Sequence, residues 1–200
     1  MDFLNDLQRW IKHESITYVK ELGIKKGQII VDFGCNAGHY TIPAARVVGS
    51  KGTVYAIDQE QTAIDELMKT AQIEQLGNII PINSSKPIIN LPGASVDVVF
   101  VYDVLHYLNA VERKNLYQSA NAVLKNDGLL SVFPKHNRSD GPMWHLEKLS
   151  VIDIVKEIEN NHFMMMQKDE KQLIHDDNLE TGIIINFKKS KTVLNQKNGN

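Results

Sequence analysis

Two carboxylates stand close to a glycine-rich turn in the first third of the chain. Asp32 precedes the turn Gly34 to Gly38, and Asp58 ends the next apolar run. Glycines let the backbone turn tightly and approach a ligand closely, and a helix that begins after them offers free N–H groups. An acid two places before the first glycine is unsuited to a pyrophosphate but suits an amino group or a sulfonium. Asp58 stands where a carboxylate can bind both hydroxyls of a ribose.

Polar side chains also follow the next two apolar runs. Asn83 and Ser84 are short side chains able to contact the edge of an adenine. Tyr102 and Asp103 follow a valine-rich run, with His106 one turn further along. Because a histidine titrates near neutral pH and a positioned carboxylate can accept a proton, Asp103 and His106 are the candidates for a general base.

The elements that must position these residues alternate between strand and helix. Short β-branched runs bounded by glycine or polar residues predict strands, and apolar residues at helical spacing predict helices. The predicted strands are 28–33, 53–57, 78–83, 95–102, 129–133, 163–167 and 182–187. One or two helices are predicted over 1–22, and further helices over 40–48, 61–75, 111–124 and 151–160. A turn is expected at 125–128. This alternation predicts an α/β domain with a mostly parallel sheet, closed by a C-terminal hairpin, and ligands bind such sheets at the carboxyl ends of the strands.

The bulk composition fits one packed domain. The chain has 200 residues, of which 42% are hydrophobic and 23% charged, and its formal net charge is −2. This balance gives no drive toward nucleic acid or an anionic membrane, so we expect neither partner. A single cysteine, Cys35, excludes an intramolecular disulfide, and the N-terminus has no secretory signal, so we expect a cytoplasmic protein. One domain over 1–188 with a disordered polar tail over 189–200 is predicted.

The glycine turn, the carboxylate after strand two and the segment after strand four together resemble the class I S-adenosylmethionine-dependent methyltransferases. Val31-Asp-Phe-Gly-Cys-Asn-Ala-Gly38 is similar to the acidic-x-Gly-x-Gly-x-Gly signature of that family, with Asn36 in place of the middle glycine. Leu124-Lys-Asn-Asp-Gly-Leu-Leu130 is similar to its Leu-Lys-Pro-Gly-Gly-x-Leu turn. Val104-Leu-His-Tyr-Leu108 resembles the ubiquinone/menaquinone-biosynthesis branch. The resemblance covers residues 28–188. It implies a Rossmann-like, seven-stranded sheet with helices on both faces, its last strand antiparallel.

The resemblance also implies a cofactor, S-adenosylmethionine, and a set of residues that bind it. Asp32 would steer the amino group of the methionine moiety, Asp58 would bind the ribose, and Gln59 would flank the adenine. Asn83 and Ser84 would contact the adenine edge, and Tyr102 would lie near the methionine moiety. The turn would line the cofactor with backbone atoms of Gly34, Cys35, Asn36 and Gly38.

The expected activity is transfer of a methyl group to a small-molecule acceptor that the sequence does not identify, with S-adenosylhomocysteine as product. The N-terminal helix would cover the cofactor, and segment 134–144 would contribute to the acceptor pocket. Two alternatives stay open at this point. One is a non-catalytic protein that binds S-adenosylmethionine, and the other is a nicotinamide-dependent oxidoreductase, whose Gly-x-Gly-x-x-Gly fingerprint the chain lacks.

Several histidines raise the question of a metal site. The residues considered are His13, His39, His106, His136 and His145. Their spacing matches no standard zinc motif, so we expect solvated or hydrogen-bonding histidines and no metal. Lys135, His136 and Arg138 could instead bind an anionic acceptor, although an exposed loop would explain them almost as well.

Overall fold

The computed structural model describes residues 5–190, and strands alternate with helices over most of that range. The strands are β1 (Ile29–Phe33), β2 (Thr53–Asp58), β3 (Ile79–Asn83), β4 (Val96–Tyr102), β5 (Leu124–Phe133), β6 (Phe163–His175) and β7 (Asn178–Lys189). The helices are α1 (Asp6–Arg9), α2 (Ser15–Glu21), α3 (Thr41–Val48), α4 (Gln61–Ile73), α5 (Ala110–Val123) and α6 (Val151–Glu159).

All seven strands form one sheet in the order β3-β2-β1-β4-β5-β7-β6. The first five strands pair in parallel, and β7 pairs antiparallel with both β5 and β6. Two hydrophobic clusters cover the two faces of the sheet. One is built with α2, α3 and α4, and the other with α5 and α6. The predicted fold class is therefore confirmed. Within residues 5–190 no helix has the length and apolar character needed to cross a bilayer.

A single helical segment covers the sheet at the N-terminal end of the described chain. It runs through α1, a π-helical stretch over Trp10–Glu14, and α2. The indole N–H of Trp10 donates to the His39 carbonyl at 2.8 Å, and the Trp10 ring is fully buried. The cover is thus fixed to the segment that joins β1 to α3. The part of the predicted first helix before residue 5 lies outside the described residues.

The C-terminal hairpin is longer than predicted. It was expected to pair 163–167 with 182–187, but pairing continues to His175 and Asn178. A two-residue turn, Asp176 and Asp177, connects the strands with φ angles of 45° and 63°. The part of β6 beyond residue 167 is polar, because β6 is an edge strand with mostly exposed side chains. Its sequence therefore lacks the run of apolar residues that predicts a buried strand. Strand β7 includes Lys189, and the predicted tail lies outside the described residues from 191 onward.

The predicted turn at 125–128 lies inside β5. Pairing between β4 and β5 shifts from Val96 with Leu124 to Val98 with Leu129. The intervening residues of β5 therefore bulge out of the ladder, which is why turn-forming residues occupy a segment that counts as strand.

The turn between β1 and α3 needs left-handed backbone at three positions. The φ angles are 79° at Gly34, 45° at Asn36 and 94° at Gly38. Asparagine adopts this region more readily than most residues, and the side-chain oxygen of Asn36 accepts the N–H of Ala37 at 2.8 Å. The replacement of a family glycine by Asn36 is thereby accommodated in the local geometry.

Asp32 supports this turn from the buried side, through a hydrogen bond to the following helix. Its side chain is buried, and its Oδ2 accepts the Thr41 hydroxyl at 2.6 Å, which joins the end of β1 to the first turn of α3. Burial raises the pKa of Asp32 to about 7, opposed by the Thr41 hydrogen bond and reinforced by the charge of Asp58.

We expect Gly38→Ala to destabilise the protein. A Cβ at this position would lie 2.3 Å from Cδ1 of the buried Leu67, in a backbone conformation that disfavours alanine. The free energy of unfolding in urea should fall by roughly 1–3 kcal/mol. Gly77→Ala is the control, because a Cβ there meets no described heavy atom within 4 Å. Equal losses in the two variants would contradict this account of the turn.

Asp32→Asn should change how stability depends on pH. The unfolded chain ionises Asp32 near pH ~4, whereas the folded pKa is about 7. Between these values the folded state holds a proton that the unfolded state has released, so the Asp32 contribution falls as pH rises and is lowest above pH 7. The variant should therefore gain roughly 1–3 kcal/mol relative to the wild type between pH 5 and pH 8, measured by urea unfolding. The exposed control Asp127→Asn should show the same difference at both pH values, and an equal effect of Asp32→Asn at both would refute the assignment.

Candidate active site

A pocket of about 900 Å³ opens at the carboxyl ends of β1, β2 and β4. The turn after β1 forms one wall, the cover contributes Leu7 and Ile11, and the tip of the β6–β7 hairpin closes the far side. The predicted site residues that line it are Gly34, Cys35, Asn36, Gly38, Asp58, Gln59, Ser84, Tyr102 and Asp103. The structure thus brings together residues spread over 70 positions of the chain because parallel strands end at one edge of the sheet.

Asp58 is the central carboxylate of this pocket. Its Oδ2 accepts the backbone N–H of Asn36 at 2.8 Å, and its Oδ1 accepts the N–H of Glu60 at 3.0 Å. These bonds fix the plane of the carboxylate while leaving further lone pairs on both oxygens. Asp58 can therefore accept two more hydrogen bonds from a neighbouring pair of hydroxyls.

The polar residues after β3 have separate roles. Ser84 lines the pocket, as does Ser85 beside it. The exposed Asn83 is not among the lining residues, and its side-chain amide donates to the carbonyl of Gln59 at 3.0 Å. Asn83 therefore positions the Gln59 backbone rather than facing the ligand space.

An aromatic cluster lies beneath the pocket floor. The Tyr102 hydroxyl bonds to the Tyr18 hydroxyl and to Ser131 Oγ, each at 2.7 Å. The ring of Tyr40 packs edge-on against Tyr102 with centroids 4.7 Å apart. Tyr102 therefore lines the pocket, while its hydroxyl is occupied by hydrogen bonds to buried partners. Tyr18 and Trp10 pack in the core of the cover, as helix packing predicts.

Asp103 and His106 differ in whether they are exposed to the pocket. Asp103 lines the pocket, and burial together with the nearby Asp176 raises its pKa to about 7. The His106 side chain is only 3% exposed, is not among the lining residues, and has its Nδ1 3.5 Å from Asp103 Oδ1. Burial, assisted by His136 and His175, lowers the pKa of His106 to about 4, so its imidazole is neutral at neutral pH. Asp103 faces the ligand space, and His106 supports it from behind.

The hairpin contributes a functional segment that the sequence interpretation missed. Ile174, His175, Asp176 and Asp177 all line the pocket. The Tyr40 hydroxyl donates to the Ile174 carbonyl at 3.1 Å, which holds the hairpin tip against the β1–α3 segment. The available signal was a histidine, His175, followed by two acidic residues with turn propensity. Because the predicted strands end at 167 and begin again at 182, His175 falls between them in a predicted loop.

The remaining candidate residues have no free charge directed into the pocket. Lys135 is buried, and its ammonium group binds Asp140 at 2.8 Å and Glu180 at 2.7 Å, so its charge is already neutralised. An anion-binding role for Lys135 is therefore wrong. Arg138, His13 and His145 are exposed. Cys35 lines the pocket but is buried, and burial raises the pKa of its thiol, so the thiol is a neutral packing group.

Comparison with known proteins agrees with this geometry. A family model described as a methyltransferase domain matches residues 30–128. A curated relative, the probable cobalt-precorrin-6B C(15)-methyltransferase (decarboxylating) of Saccharolobus solfataricus, is 35% identical over 85 residues, which are 42% of this chain and 43% of that protein. The chain thus spans less than half the length of this relative.

Solved structures extend the likeness to nearly the whole chain. A SAM dependent methyltransferase from Aquifex aeolicus has a TM-score of 0.72 at 24% identity, covering 90% of this chain and 91% of that one. Magnesium protoporphyrin IX methyltransferase from Synechocystis PCC 6803, solved with bound SAM, has a TM-score of 0.66 at 18% identity, covering 95% and 86%. At these identities the likeness establishes the fold. The ubiquinone/menaquinone branch stays a prediction. The resemblance to the class I S-adenosylmethionine-dependent methyltransferases is confirmed, because residues 30–128 match a methyltransferase domain and the whole described chain has the fold of such enzymes.

Proposed function

We propose that the protein transfers a methyl group from S-adenosylmethionine to a small-molecule acceptor. The observation that carries the proposal is the carboxylate of Asp58, held by two backbone N–H groups beside a left-handed glycine turn in a single pocket. When bound, S-adenosylmethionine supplies an electrophilic methyl group. The chain has to bind it, orient the acceptor and limit access of water.

The residues of the pocket fit this cofactor. Asp58 has free lone pairs for a ribose diol, Ser84 and Gln59 line the adjoining wall, and the backbone of Gly34 and Cys35 borders the centre. Asp32 would act on the methionine amino group through the turn that it anchors, because its carboxylate is buried against Thr41.

The charge of the pocket favours a cationic ligand over a dinucleotide. The acidic lining residues are Asp58, Glu60, Glu66, Asp103, Asp176 and Asp177, and no lysine or arginine is among the described lining residues. The negative potential of these carboxylates attracts a sulfonium and an amino group, whereas it repels a pyrophosphate. This observation supports methyl transfer over the nicotinamide-dependent alternative.

The acceptor would bind at the end of the pocket formed by Asp103, Tyr107 and the hairpin tip. Exposed rings of Tyr107 and Trp144 lie there with centroids 4.7 Å apart, and Trp144 is 53% exposed. Large apolar rings exposed at a pocket mouth suit a small acceptor with a flat apolar part. Asp103 is the group through which the chain would contact the reacting end of the acceptor. In this proposal His106 acts as a positioning residue.

We expect Asp58→Ala to weaken binding of S-adenosylhomocysteine by about 10- to 100-fold, because two charge-assisted hydrogen bonds to the ribose are lost. Isothermal titration calorimetry on the full chain measures the affinity. Asp127→Ala, an exposed carboxylate on the β5 bulge, is the matched control and should bind as the wild type does. NAD⁺ should give no heat of binding with any of the three proteins.

Two results would contradict the proposal. Wild-type affinity in Asp58→Ala would remove the assigned ribose site, and failure of the wild type to bind S-adenosylhomocysteine would remove the cofactor. Binding without methyl transfer to a broad panel of small phenols, enols, amines and thiols would favour the non-catalytic alternative.

A further inference from the structure

Three side chains from separate parts of the sheet converge at the acceptor end of the pocket. Asp103 follows β4, His136 follows β5, and His175 ends β6. One ligand atom of each lies within 4.8 Å of the other two. His136 Nε2 lies 3.1 Å from His175 Nε2, and His175 Nε2 lies 3.2 Å from Asp103 Oδ2. The other carboxylate oxygen, Asp103 Oδ1, lies 3.8 Å from His136 Nε2.

These separations match those of atoms that share one metal ion. Zinc–nitrogen bonds of about 2.0–2.1 Å in a tetrahedral site place neighbouring ligand atoms ~3.3 Å apart. The distances from His175 Nε2 to His136 Nε2 and to Asp103 Oδ2, 3.1 Å and 3.2 Å, lie close to that value. Two imidazoles and a carboxylate also form a donor set that borderline divalent ions prefer.

In both histidines Nδ1 points away from the cluster, and the two Nε2 atoms face each other. His136 Nδ1 lies 2.8 Å from the carbonyl of Gly141, an oxygen that can only accept, so Nδ1 carries a proton and Nε2 of the neutral imidazole is the nitrogen available to a metal. His175 Nδ1 lies 3.5 Å from the Glu180 carboxylate, but it is buried without a hydrogen-bond partner, so this contact does not fix the tautomer of His175. Histidine ligands of metals are held in this way by carbonyl or carboxylate partners.

When both Nε2 atoms carry lone pairs, two imidazole lone pairs and a carboxylate face one another. Such an arrangement is repulsive unless a proton or a metal ion lies between the three groups. Within residues 5–190, Asp103 Oδ1 and His106 Nδ1 are moreover buried without a hydrogen-bond partner, and they lie 3.5 Å apart at the edge of the cluster. Asp176 adds a further carboxylate oxygen 3.7 Å from His175 Nε2.

We propose that Asp103, His136 and His175 bind a divalent metal ion of the zinc type beside the methyl-transfer pocket. This proposal reverses the expectation drawn from histidine spacing, which considered His136 without its partner His175. The two histidines are 39 positions apart and meet only because the β6–β7 hairpin continues as far as His175 and Asn178.

The surrounding structure holds the three ligands in place. Asp103 and His136 adopt left-handed φ angles of 51° and 63°, a conformation that is costly for residues other than glycine and persists where the surroundings enforce it. Lys135, next to His136, bonds to Glu180, which in turn lies beside His175. This link ties the loop after β5 to the hairpin and fixes the distance between the two imidazoles.

The role of the ion toward the acceptor rests on the proposed methyl transfer. Asp103 and His175 both line the pocket, so a coordination position not filled by the protein would be open toward the acceptor. A divalent ion orients an oxygen or nitrogen donor and lowers the pKa of a bound hydroxyl, whose proton then passes to solvent at neutral pH. The substrate class indicated is a small molecule with a metal-binding hydroxyl, enol or amine at the methylated position.

The test is metal binding by the full chain after dialysis against a chelator. Competition with a chromophoric chelator measures Zn²⁺ affinity, and Co²⁺ titration reports the ligand field by visible absorption. We expect one equivalent of Zn²⁺ to bind and to raise the melting temperature. His175→Gln and His136→Gln should each weaken Zn²⁺ binding by at least about 10-fold. His145→Gln, an exposed histidine of the same loop, should keep the wild-type affinity.

A proton shared by His175 and Asp103 is the competing explanation of the short contacts. It predicts that the wild type takes up no stoichiometric Zn²⁺ or Co²⁺, and that result would overturn the proposal. Unchanged Zn²⁺ affinity in both His175→Gln and His136→Gln would overturn it as well. Calorimetry with S-adenosylhomocysteine on the same metal-free samples separates this failure from a failure of the proposed function, because the Asp58 site can bind whether or not the metal site does.

Discussion

The hydrogen bond from the Asn36 N–H to the Asp58 carboxylate ties the ends of β1 and β2 together, and the pocket is arranged around it. It can form only because the backbone turns left-handed at Gly34, Asn36 and Gly38. The same turn leads into α3, whose Thr41 bonds back to Asp32 under the sheet edge. One short segment thus fixes the position of a carboxylate, the start of a helix and the wall of a ligand site.

The opposite wall depends on contacts between segments far apart in the chain. Tyr40 holds the hairpin through the Ile174 carbonyl, and the buried Lys135 bridges Asp140 and Glu180. A buried ammonium group is tolerated because two carboxylates compensate its charge. These bonds bring a loop after β5 and the tip of a hairpin to the edge where β4 delivers Asp103. The Asp58 side of the pocket is thus built from local turns, and the Asp103 side from contacts between distant segments.

The difference between local turns and contacts between distant segments explains what could be predicted from the sequence. Residues 30–58 carry local signals, namely β-branched runs, glycines and a carboxylate at the next strand end, and they predicted both the fold and the Asp58 pocket. The roles of Asn83 and Lys135 could not be inferred because each depends on a partner, the Gln59 carbonyl and the Glu180 carboxylate. His175 was missed because an edge strand tolerates polar residues on both faces, so the sequence does not show where β6 ends.

The buried indole of Trp10 has a consequence for how ligands exchange. Lifting the N-terminal cover would break its bond to the His39 carbonyl and hydrate a ring that packs against Tyr18 and Tyr40. Exposing an aromatic side chain of this size costs roughly 4–6 kcal/mol, so the raised state is populated at ~1 part in 1,000 or less. Ligands of the pocket therefore exchange past the exposed Tyr107 rim rather than beneath the N-terminal cover.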